Sequence, residues 1–304
     1  MIRLFFIIFI LQREIMNAYL EIIRPGNAVM AAIAVILMMF VGHYYDLPII
    51  ICALIVFVCT GAGNTINDVF DVKIDAVNKP NRPIPSGRIS LENARKYAYV
   101  LFGIGIILSI VDSYLVSSIW PAVIVIPAVV IMYLYARNLK AMPLIGNITV
   151  ATLTGFCFVI AGTVIACATS SLKILFISIY LGLFALFMTL AREIVKDMED
   201  IEGDMAEGAR TFPILYGKKI PSIVSIILIV VTTLMCPILY FFKIFNIYYM
   251  IIMIVPIIIF LYSAYSLKLN PSEGTCAKVS KNLKIAMLIS FLAFVLGSFN
   301  LGFL

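Results

Sequence analysis

Two groups of three aspartates with the same spacing are the clearest candidates for chemistry in this sequence. Each group occupies positions i, i+3 and i+7, and the members are Asp68, Asp71 and Asp75, then Asp197, Asp200 and Asp204. On a helix these positions fall within an arc of about 60°. We therefore expect each group to direct three carboxylates to one side of its helix.

Carboxylates that share one helix face repel each other and need a counter-charge. Both groups also lie near the predicted C-termini of apolar helices, where the macrodipole disfavours anions. The neighbouring donors are hard oxygens, including the amides of Asn64 and Asn67, without Cys or His. Such a donor set favours Mg²⁺, or Mn²⁺, over zinc or copper. The sequence therefore predicts Mg²⁺ at these aspartates.

Basic residues flank both groups of aspartates. They are Lys73, Lys79, Arg82, Arg88, Lys196 and Arg210. Mg²⁺ held by a few carboxylates usually keeps positions open for phosphate oxygens. Acids that hold Mg²⁺ beside cations therefore indicate a diphosphate site. The sequence contains no P-loop, so hydrolysis of a nucleoside triphosphate has no support.

The rest of the chain has the composition of a polytopic membrane protein. Of its 304 residues, 63% are hydrophobic and 12% are charged, whereas a soluble domain is about half apolar and about a quarter charged. Stretches of about 20 apolar residues are long enough to cross a bilayer. Nine such stretches lie near residues 25–43, 48–67, 93–111, 119–136, 145–168, 173–191, 221–242, 247–267 and 282–303.

Lys and Arg are distributed unevenly among the breaks between these stretches. Of the 22 Lys and Arg residues, 20 lie on the side of the N-terminus and the even-numbered breaks, and only Lys173 and Lys243 lie on the side of the odd-numbered breaks. The positive-inside rule then places the N-terminus in the cytoplasm and the C-terminus outside. Both groups of aspartates lie on the cytoplasmic side in this topology. Because topology accounts for the net charge of +6, we predict no nucleic-acid partner.

Residues 1–15 precede the first long apolar stretch. Their own apolar run is too short to span a membrane, and no small-residue cleavage site follows it. Two interpretations stay open: the segment lies at the membrane interface, or Met16 is the true start. We interpret residues 16–304 as one transmembrane domain.

A diphosphate site that opens into a membrane cavity indicates a lipid diphosphate as substrate. An allylic substrate can release its diphosphate and leave a carbocation, and the metal and basic groups stabilise the charge that grows on the leaving group. Apolar helices keep water away from that cation. We therefore predict an all-α, multi-pass protein of the cell membrane, with nine transmembrane helices around a central cavity and a cytoplasmic N-terminus.

Several stretches of the sequence resemble the motifs of the UbiA-type intramembrane prenyltransferase superfamily. They are NDVFDVKID at 67–75, NKPNRPIPSG at 78–87, KDMEDIEGD at 196–204, ARTFP at 209–213, RPGN at 24–27 and YLYARNLK at 133–140. The two aspartate motifs with their flanks are the most specific of these. The resemblance covers essentially the whole chain, and the count of nine helices and the cytoplasmic aspartates agree with it.

The resemblance implies roles for individual residues. The six aspartates, Asp68, Asp71, Asp75, Asp197, Asp200 and Asp204, would be the catalytic and metal-binding residues. The residues implied in binding the substrates are Arg24, Asn27, Asn64, Asn67, Lys73, Arg82, Tyr133, Arg137, Lys140 and Lys196. Prenyl transfer from a polyprenyl diphosphate to an acceptor, with Mg²⁺ as cofactor, is the implied reaction.

Within this family, the Glu202-Gly203-Asp204 form of the second motif and the short loops are most similar to an archaeal branch that alkylates a glycerol hydroxyl. This similarity implies transfer of a geranylgeranyl group from geranylgeranyl diphosphate to geranylgeranylglyceryl phosphate. The product carries the second ether bond of archaeal membrane lipids, so both partners are membrane lipids or their precursors.

Two other functions are alternatives to this interpretation. The first is a prenyltransferase for an aromatic acceptor, such as a quinone precursor or a tetrapyrrole. A pocket with few basic groups beyond the diphosphate site would favour it. The second is a cation transporter that uses the carboxylates as an ion path. Against the transporter, the acids cluster at one membrane face and none lies near the middle of a predicted span.

Overall fold

The computed structural model describes residues 17–206 and 208–299. Within these ranges the protein is built from helices and connecting turns, without strands. The interpretations of residues 1–15 and of Met16 as the start lie outside the described residues. The prediction of an all-α protein is confirmed.

The chain divides into two compact units. Unit 1 contains the described residues up to Val35 and residues Asp46–Arg137, and unit 2 contains Ile36–Tyr45 and the described residues from Asn138 onward. The first long helix, α1 (Pro25–Val41), begins in unit 1 and ends in unit 2. The assignment of residues 16–304 to one domain stays a prediction.

The α-helices that follow α1 are divided between the two units. Those of unit 1 are α2 (Leu47–Phe70), α3 (Val72–Asn78), α4 (Leu91–Leu115) and α5 (Trp120–Arg137). Those of unit 2 are α6 (Ile145–Thr169), α7 (Leu172–Glu199), α8 (Ile201–Ala206), α9 (Phe212–Tyr216), α10 (Lys219–Met235), α11 (Ile238–Phe241), α12 (Ile247–Leu269) and α13 (Glu273–Ser298).

Eight helices in the described part of the chain are long and apolar enough to cross a membrane, when α10 and α11 are taken together. The apolar helix α1 has 17 residues and falls just short of that length. Each of the eight long helices, and α1 as the ninth, overlaps one predicted span. The count of nine transmembrane helices and the cytoplasmic N-terminus stay predictions.

Side-chain caps set where several of these helices begin. The Ser90 hydroxyl accepts a hydrogen bond from the Asn93 amide at the start of α4, and Ser272 accepts one from Thr275 at the start of α13. The sequence predicted the last span from residue 282, whereas α13 begins at Glu273. The predicted start lies too far along the chain because the first turns of α13 are polar, and hydropathy does not detect a polar helical turn.

Glycines let neighbouring helices approach closely within each unit. In unit 2, a Cβ atom on Gly155 of α6 would lie 2.7 Å from the carbonyl oxygen of Gly182 on α7. In unit 1, a Cβ atom on Gly105 of α4 would lie 2.4 Å from the Cys59 sulfur on α2. Small residues at helix crossings are the usual device for close packing in membranes. The α6–α7 crossing matters for function because the second group of aspartates lies on α7 and the turns after it.

Candidate active site

The two groups of aspartates share one local backbone geometry. Asp68 lies in the last turn of α2, Asp71 ends that helix with φ −86° and ψ 1°, and Asp75 lies in α3. In the second group, Asp200 ends α7 with φ −94° and ψ 10°. These angles lie in the bridge region, away from helical values. The chain therefore bends at the middle aspartate of each group.

The bend corrects the prediction of one continuous helix under each group. Helical i→i−4 hydrogen bonds continue on both sides of it: the Asp71 amide donates to the Asn67 carbonyl at 2.9 Å, and the Asp75 amide donates to the Asp71 carbonyl at 2.8 Å. The same pair of bonds surrounds Asp200. Three acids on an unbent face would repel each other, and the bend lets the middle side chain turn away from its neighbours.

In the first group, two carboxylates converge on one guanidinium. Nη1 of Arg82 lies 3.2 Å from Oδ1 of Asp68 and 2.6 Å from Oδ2 of Asp75. Both aspartates are buried, and Arg24 also forms an ion pair with Asp68. Asp71 is directed elsewhere, because Asn67 donates a hydrogen bond to its Oδ2 at 2.9 Å. We call Arg24, Asp68, Asp75 and Arg82 the arginine–aspartate cluster.

Arg24 reaches this cluster from a strained turn just before α1. Its φ is +50°, a left-handed conformation that few non-glycine residues adopt. Asn64 supports the turn, since its Nδ2 donates a hydrogen bond to the Ile23 carbonyl at 2.9 Å. The predicted substrate residue Asn27 follows on the exposed side of the helix start. Asn64 thus has a positioning role in the structure: it holds the backbone that presents Arg24.

Arg82 is held by the turn between α3 and α4. The amide of Ser86 donates to the Arg82 carbonyl at 3.0 Å, and Gly87 turns the chain with φ +76°. Arg88 then anchors the turn, because its guanidinium donates to both carboxylate oxygens of Glu21 at 2.6 and 3.0 Å. The turn-forming motif in the sequence therefore serves to place one cation between two acids.

The second group of aspartates has a different set of partners. Nδ2 of Asn147 on α6 donates a hydrogen bond to Oδ2 of Asp197 at 2.8 Å. Asp200 is exposed and Asp204 is half-buried. Asn147 was not among the predicted site residues. The sequence does contain a signal for Asn147. Its amide lies in the first turn of an apolar span, at the end of that span that is on the same membrane side as Asp197.

Of the other predicted residues, Tyr133 and Lys140 lie next to segments that carry or contact the two groups. The Tyr133 ring contacts Phe70 with centroids 5.8 Å apart and Tyr99 with centroids 6.4 Å apart, so Tyr133 lies beside the chain segment of the first group. Lys73, Arg137 and Lys196 are exposed, and Lys140 is half-buried. A Cβ atom on Gly146 would lie 3.1 Å from the Lys140 carbonyl, so the turn that carries Lys140 packs against the start of α6, one residue before Asn147.

Substitution of Asn147 by alanine is expected to lower kcat/KM about tenfold, because partners that orient metal-binding carboxylates typically contribute factors of that size. The measurement is the initial rate, with the purified variant, of the prenyl transfer that the sequence resemblance implies. Thr149→Ala is the matched control in the same helix, since its hydroxyl donates only to the Ile145 carbonyl one turn back. Equal rates for Asn147→Ala and the control would remove Asn147 from the site.

The arginine–aspartate cluster has donor chemistry that fits Mg²⁺. Two carboxylate oxygens already converge on a single cationic nitrogen, with Asp71 and Asn67 nearby in the chain. Among the described residues, no group of three or more His, Cys, Asp or Glu side chains is arranged to hold a metal ion. Mg²⁺ commonly takes only one or two carboxylates and completes its shell with water and substrate phosphates. The cluster therefore suits a metal that arrives with a diphosphate.

Comparison with known proteins identifies the class of this membrane protein. The UbiA prenyltransferase family model matches residues 28–297, and the chain belongs to that family. The chain is 53% identical over 288 residues to the digeranylgeranylglyceryl phosphate synthase of Methanobrevibacter smithii. The alignment covers 95% of this chain and 100% of that one. It is therefore an intramembrane prenyltransferase and a multi-pass membrane protein.

Two solved structures share the fold. One is of a digeranylgeranylglyceryl phosphate synthase in membranes; it has a TM-score of 0.82, 37% identity, and coverage of 94% of this chain and 99% of that one. The other is a UbiA homologue from Archaeoglobus fulgidus bound to GPP and Mg²⁺; it has a TM-score of 0.62, 16% identity, and coverage of 91% and 99%. The predicted family and helical membrane architecture are confirmed.

Proposed function

We propose that this protein transfers a geranylgeranyl group from geranylgeranyl diphosphate to the free hydroxyl of geranylgeranylglyceryl phosphate, with Mg²⁺. The observation that carries the proposal is the full-length similarity to the M. smithii synthase. In the reaction, the bond between the allylic carbon and the diphosphate oxygen breaks. A new bond forms between that carbon and the glycerol oxygen, and diphosphate and the hydroxyl proton are released.

The arginine–aspartate cluster supports the diphosphate half of this reaction. Its two aspartates and two arginines carry opposite charges that sum to zero, so the cluster alone has little attraction for a diphosphate. When bound, Mg²⁺ supplies the positive charge that neutralises the leaving diphosphate. Asp68 and Asp75, with Asp71, would hold the metal, and Arg24 and Arg82 would contact the same phosphates. Binding of the metal and of the diphosphate should therefore be mutually dependent.

The second group supplies a further set of oxygen donors. Asp197, Asp200 and Asp204 repeat the bend of the first group, and Asn147 orients Asp197. We assign this group to the binding of Mg²⁺ and diphosphate as well. Lys196, Lys140 and Arg137 would contact phosphate oxygens of either substrate. The acceptor has its own phosphate, which gives these additional cations a ligand.

Aromatic and apolar residues beside the aspartates suit an allylic cation. Tyr133, Phe70 and Tyr99 form a connected group of rings next to the first aspartates. Ring faces stabilise a cation by roughly 0.5–2 kcal/mol and also exclude water. We assign to Tyr133 the protection of the reacting carbon, because its ring lies between the other two in this group.

The test is a parallel assay of the purified protein. Geranylgeranyl diphosphate and Mg²⁺ are offered with geranylgeranylglyceryl phosphate in one reaction and with 4-hydroxybenzoate in another, and products are separated by chromatography. We expect a doubly alkylated glycerol phosphate and no prenylated aromatic. Removal of Mg²⁺ with EDTA should abolish both product formation and binding of geranylgeranyl diphosphate. Prenylation of the aromatic alone would overturn the assignment of the acceptor.

A further inference from the structure

A groove in unit 2 is lined in part by residues at the start of α7, the end of that helix opposite Asp197. Its volume is about 520 Å³, and its lining includes Lys173, Phe176, Ile177 and Tyr180 of α7 together with Leu239 of α11 and Phe242 just after that helix. We call it the Lys173 groove.

Lys173 and Asp197 are both on α7, and the 24 residues between their positions correspond to about 36 Å of helix. That length exceeds the hydrocarbon core of a bilayer, about 30 Å. The groove therefore opens at the membrane surface opposite the aspartates of α7.

The walls of the groove are held in place by hydrogen bonds at a helix break. Pro237, which has no amide hydrogen to donate, separates α10 from α11. The carbonyls freed at this break are satisfied by two tyrosines: Tyr180 donates to the Met235 carbonyl at 2.6 Å, and Tyr249 donates to the Cys236 carbonyl. Ile177 and Leu239 are buried at the base of the groove. It is thus a fixed apolar recess.

Lys173 gives this recess one charged end. It is exposed, and among the residues that the structure describes it forms no ion pair. It lies in the first turn of α7, which contains no acidic residue, and the positive end of the helix dipole disfavours a cation there. Lys243 directly follows Phe242 in the chain, and from residue 138 onward every acidic residue lies at 193–207 or at 273. An anion bound at this end of the groove would offset the positive charge of Lys173, Lys243 and the helix N-terminus.

The exposed rim is aromatic and apolar. Phe176 is 68% exposed and Phe242 is 75% exposed. Aromatic side chains are enriched where a protein meets the interface between lipid and water, and a lysine there extends its charged end toward the headgroups. A ligand that suits this groove therefore has an anionic head and an apolar chain.

We propose that the Lys173 groove is a binding site for one anionic phospholipid. Lys173 contacts the phosphate, Phe176 and Phe242 flank the chain where it enters, and Ile177 and Leu239 contact it in the recess. The site is separate from the reaction, because the length of α7 places it at the other membrane surface. It does not depend on the proposed substrates.

The experiment uses the full-length protein, purified in detergent and stripped of lipid. Native mass spectrometry then measures retention of dioleoylphosphatidylglycerol, which is anionic, and dioleoylphosphatidylcholine, which is zwitterionic. We expect the wild type to retain one molecule of the anionic lipid preferentially, and Lys173→Gln to weaken that binding about fivefold, the effect of one basic residue near a membrane surface. Lys173→Arg should keep the preference, and Phe242→Ser should weaken retention of both lipids.

Lys268→Gln is the matched control. Lys268 is an exposed lysine in the last turn of α12, in the same unit, and it does not line the groove. Prenyl transfer by Lys173→Gln should equal that of the wild type. Equal retention of the two lipids by the wild type, or equal loss in Lys268→Gln, would mean non-specific contact with surrounding lipid and would overturn the proposal. A dimer that Lys173→Gln dissociates would assign the groove to a second copy of the chain instead.

Discussion

Substitution of Asp71 or of Asp200 by alanine is expected to lower the rate of prenyl transfer by about 10²- to 10³-fold, the usual effect of removing one electrostatic group that stabilises a transition state. Each is the middle aspartate of its group and lies at a helix bend. Asp71 is half-buried and accepts a hydrogen bond from Asn67, and Asp200 is exposed. Their loss should therefore remove function at little cost in stability.

Initial rates in isolated membranes, normalised to the amount of folded protein, measure this effect. Glu92→Ala is the control for the first group, because Glu92 is an exposed acid paired only with Lys96 at the start of α4. Glu202→Ala is the control for the second group, since Glu202 is an exposed acid of α8 outside the i, i+3, i+7 set. Full activity of either alanine variant of Asp71 or Asp200 contradicts the proposed site.

Replacement of Arg82 by methionine is expected to reduce both stability and activity. The variant leaves Asp75 buried without its cation and leaves Asp68 with Arg24 alone. Removing one partner of a buried ion pair typically costs about 3–5 kcal/mol. Arg82 is 23% exposed, so water will screen part of that charge, and we expect a loss of about 2–3 kcal/mol in the free energy of unfolding.

The double variant Arg82→Met with Asp75→Asn separates the two effects. The change of Asp75 to Asn removes the carboxylate charge that Arg82→Met leaves unpaired, and it should recover much of the lost stability, as measured by thermal unfolding in detergent. Prenyl transfer should stay reduced. Lys96→Met is the control in the same unit, because its pair with the exposed Glu92 at the start of α4 is expected to contribute less than about 1 kcal/mol. If the double variant is as unstable as Arg82→Met alone, then the charge on Asp75 is not what Arg82 stabilises.

The sequence predicted the helical architecture well because hydropathy and spacing are local properties of a chain. A run of about 20 apolar residues must satisfy its own backbone in the bilayer, and a helix does this without distant partners. The span predicted at 145–168 is observed as α6 (Ile145–Thr169), within one residue at its end. The two largest errors, at the start of α13 and at the end of α7, arose where the terminal helical turns are polar.

The partners of the site residues depend on contacts between distant segments. Arg24 and Asp68 are 44 residues apart in the chain, and Asn147 and Asp197 are 50 residues apart. Spacing alone predicted three carboxylates on one face, whereas the structure turns the middle side chain away at a bend and pairs two of the others with Arg82.

The sequence by itself therefore determined that this is an all-helical membrane protein of the prenyltransferase family, with two sets of acids suited to Mg²⁺ and diphosphate. Residue type and local spacing are sufficient for those conclusions. Only the tertiary structure decided which cation neutralises which acid and which amide orients Asp197. The physical reason is that an ion pair or a hydrogen bond forms within about 3 Å, and the folding of separate segments onto each other sets that distance.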